Sequence, residues 1–196
     1  MRILLTLLLA VGICGSSQAH PAPDIPVRST FNDDGTVTIR VELDPRCFAE
    51  DPMHEPYLEN ADFQSYTPEQ KTGLLSRARR LIDDSIEFRL LPGGPIQPEF
   101  EMRFTTFAGQ PLLWNVEKPA ENTAECGVAP VVVTAEWTVD ASKATGYQIK
   151  ARKAGKFSVH FVNRLGEKEQ RLHVLFPGEE SYVLGLKGWA ESLKGG

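Results

Sequence analysis

Short stretches in which apolar and polar residues alternate with a period of two, punctuated by glycine and proline, recur along this chain and constrain its fold more than any other feature. In residues 36–44, Val37, Ile39, Val41 and Leu43 alternate with Thr38, Arg40 and Glu42, as in a strand with one buried face. Residues 27–32 precede it across Asp33-Asp34-Gly35, a hairpin turn signal. Residues 86–91 and 99–107 bracket a Pro-Gly-Gly-Pro linker, and 131–140 set Val131, Val133, Ala135 and Trp137 on one face. Four more segments, 147–152, 156–163, 168–176 and 181–186, follow between glycine-containing turns. About nine short strands at this spacing predict a mainly β chain folded as an immunoglobulin-like β-sandwich.

One inserted amphipathic helix is expected at about 68–84. Thr67 is a good N-cap, Pro68 suits the first helical position and Gln70 completes a capping box. Leu74, Leu75, Ala78, Leu81 and Ile82 form an apolar stripe at helical spacing, with Arg77, Arg79 and Arg80 outward, so the helix should dock on its own sheet. Residues 45–66 show no periodicity, being broken by Pro45, Pro52 and Pro56, but their aromatics Phe48, Tyr57, Phe63 and Tyr66 favour a packed cover. Residues 20–26, with three prolines, read as an extended lead-in.

The first 19 residues have the layout of an export signal. Arg2 gives the positive start, residues 3–11 are apolar apart from Thr6, and Ser17 and Ala19 are small at the −3 and −1 positions of a cut before His20. The apolar run is too short to span a membrane, which takes about 20 residues. The expected organisation is a signal peptide at 1–19, a single sandwich domain at 20–187 and a flexible tail at 188–196, in a periplasmic or extracellular protein without a transmembrane segment after processing. That chain carries 20 basic and 26 acidic residues, spread without a basic stripe, which argues against nucleic acid and anionic surfaces as partners. Cys47 and Cys126 remain after the cut, and in an oxidising compartment they are expected to form a disulfide.

Motifs for chemistry are sparse. There is no Gly-x-Ser-x-Gly elbow, phosphate-binding loop, dinucleotide fingerprint, HExxH or EF-hand loop. The adjacent acids Asp83-Asp84 and Glu179-Glu180 read as solvated surface. Histidine is the informative residue, since only four are present. As a mature terminus, His20 would offer its amine and one ring nitrogen to copper(II), which stands high in the affinity order for nitrogen sites. Strand alternation places His160 opposite Phe157, Val159 and Phe161, and His173 opposite Leu172, Val174 and Phe176. A two-residue turn at Leu165-Gly166 would pair 158 with 173 and 160 with 171, leaving both histidines diagonal on one polar face. His20, His160 and His173 are therefore the candidate metal ligands, although Arg171 beside the pair would repel a cation. His54, beside Asp51 and Glu55, is a weaker candidate.

Ala19-His20-Pro21 at the signal junction, the early hairpin, the capped helix leading into Ile86-Glu87-Phe88 and the late Phe176-Pro177-Gly178-Glu179-Glu180-Ser181 resemble one family group. These are the extracytoplasmic β-sandwich domains of hydrogenase/urease-accessory (HupE/UreJ-like) membrane proteins. The resemblance implies a setting of nickel or copper handling. This chain shows no membrane helices after the sandwich, so a transport role would fall to a separate membrane or envelope protein.

The functional expectation is an exported, non-enzymatic binding or accessory module, with nickel or copper homeostasis as its setting. One alternative is a copper protein, chaperone or redox enzyme, that uses His20 as a ligand. Another is a carbohydrate-binding module, which needs an exposed row of Trp114, Trp137, Trp189 or tyrosines; Trp137 on an apolar face counts against it.

Overall fold

A computed structural model describes residues 23–112, 130–166 and 168–190. The strand with the clearest alternation lies at its centre. β1 (Ile25–Phe31) and β2 (Thr36–Leu43) pair antiparallel, Val27 opposite Val41 and Phe31 opposite Val37. The turn between them forms where expected: Asp34 accepts from the Thr36 backbone at 2.9 Å and its hydroxyl at 2.7 Å. Gly35, at φ +88°, adopts a conformation most residues avoid. Every second residue of β2 is fully buried, as its pattern requires.

Two sheets result, packed as a β-sandwich. Besides β1 and β2, the larger contains β5 (Glu101–Thr106), β6 (Val131–Asp140), β8 (Val159–Leu165), β9 (Lys168–Glu169) and β10 (His173–Leu175). Its order is β10-β8-β1-β2-β6-β5, with β9 also on β8. The smaller sheet holds β3 (Ile86–Leu91), β4 (Gly94–Ile96), β7 (Gly146–Ala151) and β11 (Leu184–Gly185) in the order β11-β7-β3-β4. β1 runs parallel to β8, Ile25 beside Val159, and antiparallel to β2.

Helix α2 (Pro68–Ser85) follows its sequence signals closely. Thr67 accepts from the Gln70 backbone, the Gln70 side chain accepts from the Thr67 backbone, and Leu74, Ala78 and Ile82 are buried in the shared core. The preceding segment does act as cover, but it is structured. Pro45–Phe48 forms a 3-10 turn capped by Asp44, and α1 (Asn60–Ser65) buries Phe63 against Phe104 at 4.5 Å between ring centroids.

The structure corrects three readings. The Pro-Gly-Gly-Pro linker contains the edge strand β4, where Pro95 is tolerated because an edge leaves ladder positions unused. The tail expected from 188 begins with an anchor: Trp189, 6% exposed, packs edge-on against Phe31 at 5.4 Å. The stretch 168–176 is interrupted rather than continuous, and this changes the site. Leu165 pairs with Lys168 and Arg164 with Glu169, but Phe161 pairs with His173. Between these pairs one strand spends three residues and its partner two, so there is one extra residue, as in a bulge. Because side chains alternate, one residue moves every later side chain to the other face.

Candidate binding groove on the outer sheet face

That extra residue separates the two histidines expected to share a face. His160 lies opposite Val174 on the outer face, while His173 turns inward. There its ring stacks on Phe161 at 5.2 Å and 19°, and Tyr182 closes over it at 5.0 Å. The same shift turns Leu172, Val174 and Phe176 outward, 54%, 41% and 62% exposed, onto the side of the sheet that carries His160. His54 is a surface residue whose Nδ1 contacts Asp51 at 2.8 Å. His20 and Cys126 lie outside the described residues. Among the described residues no group of three or more His, Cys, Asp or Glu side chains could hold a metal ion. Cys47 is buried and has no disulfide partner among the described residues, the expected bridge to Cys126 lying outside them; burial, with the nearby Asp44 charge, pushes its thiol up to about 12.

The outer face of the larger sheet nevertheless has a shaped centre. Asp24 stands just before β1, Pro26 and Arg28 project from β1, Arg40 and Glu42 from β2, and His160 and Val162 from β8. Two adjoining cavities of about 190 and 260 Å³ share Asp24, Pro26 and Glu42, making one groove. Phe107, 70% exposed, lines one end and Leu172 the other.

Each carboxylate on the floor already has a cationic or imidazole partner. Glu42 meets Arg40 at 2.8 Å, Asp44 meets Arg46 at 2.7 Å, and Asp24 meets His160 Nδ1 at 2.5 Å. Arg46 is 3% exposed beneath the Tyr57 ring, its guanidinium carbon 3.7 Å from the ring centroid. Burial works against its charge, but the hydrogen bond and charge of Asp44 more than offset this and raise its pKa. Arg46 Nη1 and Arg40 Nε have no hydrogen-bond partner among the described residues, so the floor is balanced in charge but has unused donors. Such a surface suits an uncharged occupant with acceptor groups, held by apolar contacts at both ends.

Sequence reasoning missed this groove. Asp44-Pro45 is a legible capping signal, but nothing local marks Arg46 as buried. It also missed a relay: His160 Nε2 is 3.2 Å from Ser158 Oγ while Nδ1 contacts Asp24. This has the order of nucleophile, base and orienting acid. Asp24 and His160 line the groove, and Ser158 lines neither of its two cavities.

Of the aromatics named for carbohydrate binding, Trp189 and Tyr147 are buried, Trp137, Tyr57 and Tyr66 are partly buried, Tyr182 is exposed, and Trp114 lies outside the described residues. No helix among the described residues is long and apolar enough to cross a membrane. Comparison with protein-family models, curated proteins and solved structures finds no match to this chain.

Proposed function

We propose that this chain is an exported, non-catalytic binding or accessory module that receives an extended partner segment in the outer-face groove. The immunoglobulin-like arrangement and the nickel- or copper-handling setting belong to the same proposal. One observation carries it: the groove has a charge-balanced floor between exposed apolar residues at its two ends. Exposed apolar residues grouped beside a cavity favour recognition over solvation. A photo-crosslinking amino acid at 107 or 174, introduced in the exporting cell, should give one shared adduct, while position 72 on exposed helix surface gives none. Equal labelling from all three positions, or no adduct from 107 and 174, would reject the groove as the working face.

The copper reading keeps one supporting observation. His160 lies beside Asp24, and His20 is four residues ahead of Asp24, about 14 Å of extended chain. On that reading His20 and His160 are the ligands and His173 is not. Copper should then bind one-to-one to chain starting at His20 and be lost in His160→Ala. Retention unchanged by that substitution would remove His160 from the site.

A further inference from the structure

A different part of the surface concentrates cations. The turn between β7 and β8 folds against the C-terminal half of α2 and the 3-10 turn, forming an open cavity of about 320 Å³. Arg77, Arg80 and Lys156 line it, with Asp84 as the single acid. Elsewhere Arg28, Arg40, Arg46, Arg79, Arg89, Arg103 and Arg152 each meet a carboxylate. Arg77, Arg80 and Lys156 meet none among the described residues, in a chain of net charge −5. Arg79 takes Asp83 one turn along the helix at 3.0 Å, whereas Arg80 makes no such pair with Asp84 at the same spacing.

A second observation lies in the cavity wall. Ser85 is 1% exposed, and its Oγ has no hydrogen-bond partner among the described residues. Buried hydroxyls are rarely left so, because water is lost without replacement. The close approach is built in: a Cβ on Gly155 would lie 3.2 Å from the Ser85 Cα. Asp84 and the negative end of α2 oppose an anion here. However, the Ile82 and Ser85 carbonyls already accept from Ile86 and Arg152, and cations outnumber the acid three to one.

We infer that this cavity binds an oxyanion of the phosphate class, held by Arg77, Arg80 and Lys156 and accepting a hydrogen bond from Ser85. The ion supplies the missing acceptor and relieves repulsion among the cations. The inference does not rest on the groove. Inorganic phosphate titrated into ¹⁵N-labelled protein, with chloride at equal ionic strength as control, should shift the amides around 84–86 and 154–156 saturably. Arg80→Gln and Lys156→Gln, both on exposed side chains, should each weaken binding about tenfold. Ser85→Ala should weaken it while leaving the fold intact by thermal melting. Phosphatidylglycerol vesicles distinguish the source. Flotation with vesicles, competed by phosphate, assigns a lipid headgroup, and binding of phosphate alone assigns a soluble ion. Shifts no larger than chloride produces, or an affinity unchanged by both cation substitutions, would overturn the site.

Discussion

The β1–β2 and β8–β10 hairpins start from similar sequence material and end differently. Both combine alternating apolar residues with a glycine-containing turn. In the first, turn chemistry and burial agree: Asp34 holds the turn, and β2 lies between two neighbours with its inner row fully buried. In the second, β10 is an edge strand, and the extra residue before it sends an imidazole inward and three apolar side chains outward. Alternation reports a face only while the register is unbroken, and a single inserted residue reverses its meaning.

The largest expected difference between the hairpins is in core packing. Phe31→Ala, which empties a site shared with Tyr147 and Trp189, should cost about 3–5 kcal/mol in denaturant unfolding. Phe176→Ala, beyond the second hairpin, should stay within about 0.5 kcal/mol. Equal losses would break the comparison.

Alkaline pH sharpens it. Burial raises the Tyr147 pKa above its ordinary 10.0, and Cys47, just after β2, is raised from 9.0 to about 12. The unfolded chain therefore releases both protons first. Their contribution is whole below pH 9 and is lost as pH rises, by about 1.4 kcal/mol per unit for each group. Unfolding followed at several pH values checks the slope. A Cys47–Cys126 bridge would remove the cysteine step until reductant is added.

The smallest effects come from the residues that set each register. Asp34→Ala should cost about 1 kcal/mol through its turn hydrogen bonds. His173→Ala should cost about 0.5–1.5 kcal/mol by removing one ring from the Phe161–His173–Tyr182 stack. A His173 substitution with no effect would mean that the inward histidine is tolerated rather than used.

Legibility followed the same division. The Thr67 cap, the α2 stripe, β2 and β6 could all be read because local pattern and tertiary burial coincide there. The face of His173 could not, since it depends on one unpaired residue in 170–172. Nor could the groove: two of its ion pairs are local, but Asp24 meets His160 only because β1 runs beside β8. Arg46 looked like any polar loop residue, and its burial is decided by Tyr57 and Asp44 closing around it.

The parallel pairing of β1 with β8 also bears on how the molecule is made. Ile25 meets Val159, so a strand at the start of the domain has only one of its two neighbours until most of the chain has been synthesised. Phe31 then waits for Trp189, later still. Contacts this distant in sequence make folding slow, and the central sheet cannot be completed while the chain is still emerging. A nascent chain stopped before β8 would expose one edge of β1 along its full length, open to pairing with any other unfinished strand.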